Sequence, residues 1–90
     1  MEDRVLKTES GGYIIKDVLA KTDAYNALLL SLEEMKMSDA AINAELERIH
    51  SMPLRRAGGF LCFKGSGFSV SDTDEYIEEL ENKIREKIML

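Results

Sequence analysis

The chemically distinctive part of this 90-residue chain is the segment of residues 48–71, which contains basic side chains and no acids. Arg48, Arg55, Arg56 and Lys64 give the segment a charge of +4; the whole chain carries −5, so the remainder carries −9. The segment also holds four of the six glycines. Arginine side chains beside glycine N–H groups are typical of sites that bind phosphate and other anions. We therefore expect any ligand site to lie in this segment.

The candidate ligand site consists of basic residues, glycines and one aromatic ring. Its members are Arg55, Arg56, Gly58, Gly59, Lys64, Gly65, Gly67 and Phe60. The ring could stack on a nucleotide base, an interaction worth ~1–3 kcal/mol. This combination predicts a non-catalytic domain that captures a small phosphate-bearing ligand, such as a nucleotide or a signalling nucleotide. The alternative is that the glycines form a hairpin turn and the aromatic residues pack into the core.

The residues that could catalyse a reaction do not form a convincing set. A nucleophilic pair would need Cys62 beside His50 and a third group to orient the base. Cys62 lies in a predicted strand, where a small buried apolar role is typical, and a single cysteine cannot build a zinc site. Most acids fall on helix faces at i,i+4 spacing instead of converging from separate elements. We expect no enzymatic activity, no metal and no cofactor.

The overall charge and hydropathy exclude several classes of partner. A net charge of −5 does not favour nucleic-acid binding, because basic residues supply most of that affinity. Residues 64–70 partly resemble the signature strand of RNA-recognition motifs, but Ser66 and Ser71 stand where that family carries stacking aromatics. No stretch approaches the ~18 apolar residues of a membrane span, and residues 1–7 lack an export signal. A single cysteine suits a reducing compartment, so we expect a cytoplasmic protein.

Apolar spacing predicts three helices, at about residues 23–36, 39–51 and 72–88. Thr22 or Asp23 could cap the first helix, and Ser71 or Asp72 the third. Ser38 precedes the second helix, and Pro53 prevents it from continuing.

Two β-hairpins complete the predicted fold, at about residues 5–19 and 60–70. The β-branched and aromatic residues of the first flank Gly11 and Gly12, and those of the second flank Lys64 to Gly67. We predict a single α+β domain spanning residues 1–90, with a small antiparallel sheet packed against the three helices.

A second functional hypothesis involves the helix faces instead of the basic segment. The chain would then be an acidic protein–protein interaction module, for example a small adaptor or inhibitor of the kind that phage genomes encode. The acids that would meet a basic partner are Glu33, Glu34, Glu45, Glu47, Glu78 and Glu79. We also expect a homo-oligomer, because the core material is modest and the apolar stripe of the third helix is narrow enough to form a helix–helix seam.

Overall fold

The computed structural model describes residues 6–34, 37–57 and 66–89. Its elements follow the order β1 (Thr8–Ser10), α1 (Ile15–Glu33), α2 (Asp39–His50), β2 (Ser66–Phe68) and α3 (Val70–Met89). The α+β class is confirmed, since three helices accompany a small antiparallel sheet of two strands. The predicted bounds of α2 and α3 are correct to within two residues.

The three helices share one hydrophobic core. Its buried apolar residues are Tyr25, Leu28, Ile42, Leu46, Ile49, Ile77, Leu80 and Ile84. All of them belong to the apolar stripes that the helical spacing predicts, and each contributes about 1.5–3 kcal/mol when it leaves water. The stripe of α3 is therefore covered by this chain's own core, chiefly by α1, and the seam that it was expected to offer a second chain is occupied.

Helix α1 begins eight residues earlier than predicted, so the first hairpin is wrong. Ile14, Ile15 and Val18 made the segment of residues 13–19 look like a strand, but β-branched residues cost a helix only a few tenths of a kcal/mol each. Val18 is almost fully buried, and its burial outweighs that cost. Thr22 lies inside the helix instead of capping it, and its Oγ1 donates to the carbonyl of Val18.

The two strands of the sheet are far apart in the sequence. β1 pairs antiparallel with β2, with Thr8 opposite Phe68 and Ser10 opposite Ser66. Tyr13 forms a backbone bridge to Phe68 and a second one to Arg56. Of the second predicted hairpin, residues 66–68 form β2 and pair with β1, and residues 60–65 lie outside the described residues.

Serine side chains cap α2 and α3, and the caps predicted for α1 and α3 are both wrong. Ser38, which precedes α2, caps that helix, since its Oγ accepts from the N–H of Ala41 at 3.2 Å. The cap of α3 is Ser69, whose Oγ accepts from the N–H of Asp72, and not Ser71 or Asp72. No side-chain hydrogen bond caps Ile14 at the start of α1.

Candidate functional site

Arg55 is held by a carboxylate from α1. Its Nε and Nη2 donate to Oδ2 and Oδ1 of Asp17 at 2.9 and 3.0 Å, and its backbone N–H donates to Oδ2 at 3.0 Å. The side-chain hydrogen bonds, supported by the backbone one, lower the pKa of Asp17 to about 2. Asp17 therefore already fills the position that an anionic ligand of Arg55 would take.

Arg56 and Gly67 also have structural partners. Arg56 is exposed, and its Nε donates to the carbonyl of Gly11, whose φ of 73° favours glycine. A Cβ on Gly67 would lie 2.0 Å from the carbonyl oxygen of Tyr13, so the close approach of the two backbones requires glycine. Both residues help to join β2 and residues 55–57 to the chain before α1.

The remaining predicted ligand-site residues are Gly58, Gly59, Phe60, Lys64 and Gly65, and they lie outside the described residues. Of the eight, the structure brings Arg55, Arg56 and Gly67 to one end of the fold, around Gly12 and Tyr13. The described contacts assign these three a role in holding that end together. The ligand site stays a prediction.

A second group of ionisable residues joins the three helices, and sequence reasoning missed most of it. Lys21 of α1 is only 6% exposed, and its Nζ donates to the carbonyls of His50 and Met52, at 2.9 Å each. Lys21 thus caps the C-terminal end of α2, where carbonyls lack helical partners. Glu81 of α3 accepts hydrogen bonds from the hydroxyl of Tyr25 and, at 2.9 Å, from Nδ1 of His50.

The pKa shifts in this group reflect its burial and its hydrogen bonds. Desolvation lowers the pKa of Lys21 and raises that of Tyr25, which also donates to Glu81. Burial alone would raise the pKa of Glu81, but the bonds from His50 and Tyr25 outweigh it, and the pKa is lowered. Shifted values can mark active sites. Here they belong to groups that satisfy one another, which indicates a structural link among α1, α2 and α3.

A shallow groove lies between α1 and α2. Its lining is Ala24, Ala27, Leu28, Ser31, Met37, Glu45 and Arg48. Glu45 and Arg48 form an ion pair with each other at its rim. The groove is open and mostly apolar, with no converging polar groups among these lining residues, unlike a small-molecule pocket.

The solvent side of α1 is unusually apolar. Five of its nine exposed residues are apolar, namely Ile15, Leu19, Ala20, Ala27 and Leu30. The ten exposed residues described in α3 provide the comparison, because all of them are polar or charged. The large side chains Ile15, Leu19 and Leu30 are 38%, 47% and 55% exposed. Large apolar side chains exposed on a helix that already buries another side in the core favour a second contact surface.

We call one side of this helix the outer face of α1. It consists of Ile15, Lys16, Leu19, Asp23, Asn26, Leu30 and Glu33. These residues recur at spacings of three and four, so they project on one side of the helix, away from Val18, Tyr25 and Leu28 in the interior. Sequence reasoning missed this face because it treated residues 15–19 as a strand.

The chain matches no protein-family model, no curated protein and no solved structure. Among the described helices, none has the length and apolarity needed to cross a membrane. Within residues 6–34, 37–57 and 66–89, no three His, Cys, Asp or Glu side chains converge as metal ligands.

Proposed function

We propose that this chain is a non-catalytic protein–protein interaction module of the cytoplasm, and that it binds its partner through the outer face of α1. The observation that carries the proposal is the contrast between two helices of the same core. α3 exposes only polar and charged residues where it is described, whereas more than half of the exposed residues of α1 are apolar. Ile15 and Leu19 lie one turn apart on this face and Leu30 lies three turns farther on, and exposed apolar side chains that share one side of a small protein favour a contact site.

The charges around this face suit a protein contact better than a solvated surface. Only Lys16, Asp23 and Glu33 are charged on a side of α1 that is about 28 Å long, at 1.5 Å per residue. Lys16 and Glu33 lie at the two ends of the face and Asp23 near its middle; charged residues at the rim are usual in a protein interface. The acidic helix faces then act at the margins, where charges chiefly affect association rate.

Photo-cross-linking tests this proposal. A photoreactive amino acid at Leu19 or Leu30 is expected to cross-link to a protein partner in cells that express the chain. The same amino acid at Asn82 or Glu86, on the exposed side of α3, provides the matched control and is expected to give background yield. Equal yields from the two helices would contradict the proposal.

Anion binding is the second candidate function, and one observation favours it. Ile14, the N-cap residue of α1, makes no side-chain capping hydrogen bond, and Lys16 and Arg56 lie at that end of the fold. Helix N-termini beside basic residues attract phosphate. Thermal shift with a nucleotide panel tests it, because a ligand at 100 times its Kd adds about 2.7 kcal/mol to stability. A shift that disappears in Arg56→Ala would support anion binding, and no shift with any nucleotide would contradict it.

A further inference from the structure

The outer face of α1 has a twofold-symmetric arrangement of residue types. Six of its seven positions are symmetric about the midpoint between Ala24 and Tyr25, so that residue numbers summing to 49 correspond, and Ile15 has no counterpart on the face. Leu19 then corresponds to Leu30, Lys16 to Glu33 and Asp23 to Asn26. Apolar matches apolar, cation matches anion, and carboxylate matches an amide donor. A surface that is complementary to itself in this way is the requirement for a twofold dimer contact.

We propose that the partner on this face is a second copy of the same chain, with the two α1 helices antiparallel in this register. The inference rests on the proposed function, because it identifies the partner of the same surface. Leu19 of one copy packs against Leu30 of the other, and the twofold axis repeats this contact. In this register Ile15 of each copy lies opposite Glu34 of the other, beyond the six matched positions.

The charges fix the direction of the two helices. In the antiparallel pair, Lys16 of each copy faces Glu33 of the other, and Asn26 of each can donate to Asp23 of the other. A parallel pair would place Lys16 beside Lys16, Asp23 beside Asp23 and Glu33 beside Glu33, which is repulsive at three positions. Glu33 also lies 3.9 Å from Lys87 in its own chain, an exposed and therefore weak pair that leaves it able to meet a second cation.

The size of the outer face of α1 limits the expected affinity of the dimer. One pair of 19-residue helices buries less surface than the ~1,200–2,000 Å² of standard stable interfaces. We therefore expect a reversible dimer with a Kd on the order of tens of micromolar. The dimer is then seen as a concentration-dependent rise in molecular mass.

Sedimentation equilibrium of the full chain, from about 5 to about 500 µM, tests the proposal. Lys16→Glu places Glu opposite Glu33, and Glu33→Lys places Lys opposite Lys16, so each variant alone should raise the Kd about five- to tenfold. An equimolar mixture of the two variants restores both opposite-charge contacts in a heterodimer. The mixture should therefore associate at least as strongly as the wild type.

The control variants carry the same two types of charge reversal on the exposed, polar side of α3. Lys83→Glu and Glu86→Lys should each leave the Kd unchanged. Circular dichroism establishes that all four variants remain folded.

Three results would overturn the proposal. The first is a monomer at every concentration, and the second is a dimer that responds to the α3 changes as much as to the α1 changes. The third is a pair of α1 variants that each associate weakly and do not recover when mixed. A monomer that still cross-links another protein from Leu19 or Leu30 would overturn the second-copy assignment while the proposed interaction function stands. Absence of cross-links from α1 and of self-association would overturn both.

Discussion

The guanidinium of Arg55 and the carboxylate of Asp17 form a two-pronged ion pair, with N–O distances of 2.9 and 3.0 Å. The two residues are 38 positions apart, and the pair joins the segment after α2 to the first turn of α1. An arginine that stood out in the sequence as a possible ligand-binding residue is thus bonded to an anion of its own chain. The same position cannot strongly attract a second anion while Asp17 is ionised.

The first prediction concerns the pH dependence of this pair. Asp17 has a pKa of about 2 in the folded chain, below its ordinary value of 3.8. A lowered carboxyl pKa stabilises the fold above the ordinary value, and the stabilisation is lost as pH falls through the folded-state value. The stability difference between wild type and Asp17→Asn should therefore be constant above about pH 5 and shrink between about pH 4 and pH 2. Urea denaturation across this range measures it; a difference at pH 2.5 as large as at pH 7 would contradict the assignment.

The second prediction concerns Lys21. Lys21→Met keeps most of the buried aliphatic chain but removes both hydrogen bonds to the carbonyls that end α2. Hydrogen bonds from charged groups contribute about 1.5–3 kcal/mol each, and part of this is offset because a buried ammonium no longer has to be desolvated. We expect a loss of about 1.5–3 kcal/mol in the free energy of unfolding.

Lys16→Met, at an exposed position of the same helix, is the matched control for stability and should change it by less than about 0.5 kcal/mol. A Lys21→Met variant as stable as the wild type would show that the two carbonyls do not depend on Lys21.

The third prediction concerns the close approach of β2 to Tyr13. Gly67→Ala would put a Cβ 2.0 Å from the carbonyl oxygen of Tyr13, so the two backbones must separate. Overpacking of this kind costs about 1–3 kcal/mol. The neighbouring Ser66→Ala removes only an exposed hydroxyl and should be neutral. Thermal unfolding of the two variants compares them, and equal midpoints would mean that the backbones are farther apart than described.

The fourth prediction concerns Thr73 in the first turn of α3. Its side chain is fully buried, and its Oγ1 has no hydrogen-bond partner among the described residues. Thr73→Val replaces that hydroxyl with a methyl group of similar size, so it should raise the free energy of unfolding by about 1 kcal/mol. Thr73→Ser keeps the hydroxyl but removes a buried methyl group, and should lower it by a similar amount. If Thr73→Val is the less stable variant, the hydroxyl has a partner after all.

Helical periodicity predicted α2 and α3 because their apolar residues follow one stripe that a single core covers. α1 was only half predicted, since its exposed apolar residues obscure the stripe and its first turns are β-branched. Strand pairing was beyond sequence reasoning for another reason. β1 and β2 are separated by more than 50 residues, and no local turn connects them.

The candidate site, like the fold, was only partly predictable from the sequence. Charge contrast along the sequence singled out Arg55 and Arg56. It could not identify Asp17 as the partner of Arg55, because Asp17 is 38 positions away and nothing in the sequence distinguishes it from the other acids. Lys21 and Glu81 likewise appeared as ordinary residues of helix faces. The outer face of α1 did have a sequence signal: an amphipathic helix of this length should not carry isoleucine and leucine at 15, 19 and 30 as well as along its core stripe.

Thiol labelling in living cells tests most directly whether the outer face of α1 is covered by another protein. Leu30→Cys and Asn82→Cys are each made with Cys62→Ser, so that one reporting thiol lies on α1 or on α3. In cells that contain the chain above its dimer Kd, a maleimide is expected to label position 82 at the rate seen in dilute purified protein and position 30 about threefold more slowly than in dilute purified protein. Equal labelling rates at the two positions in cells would contradict the proposal that α1 is the binding face.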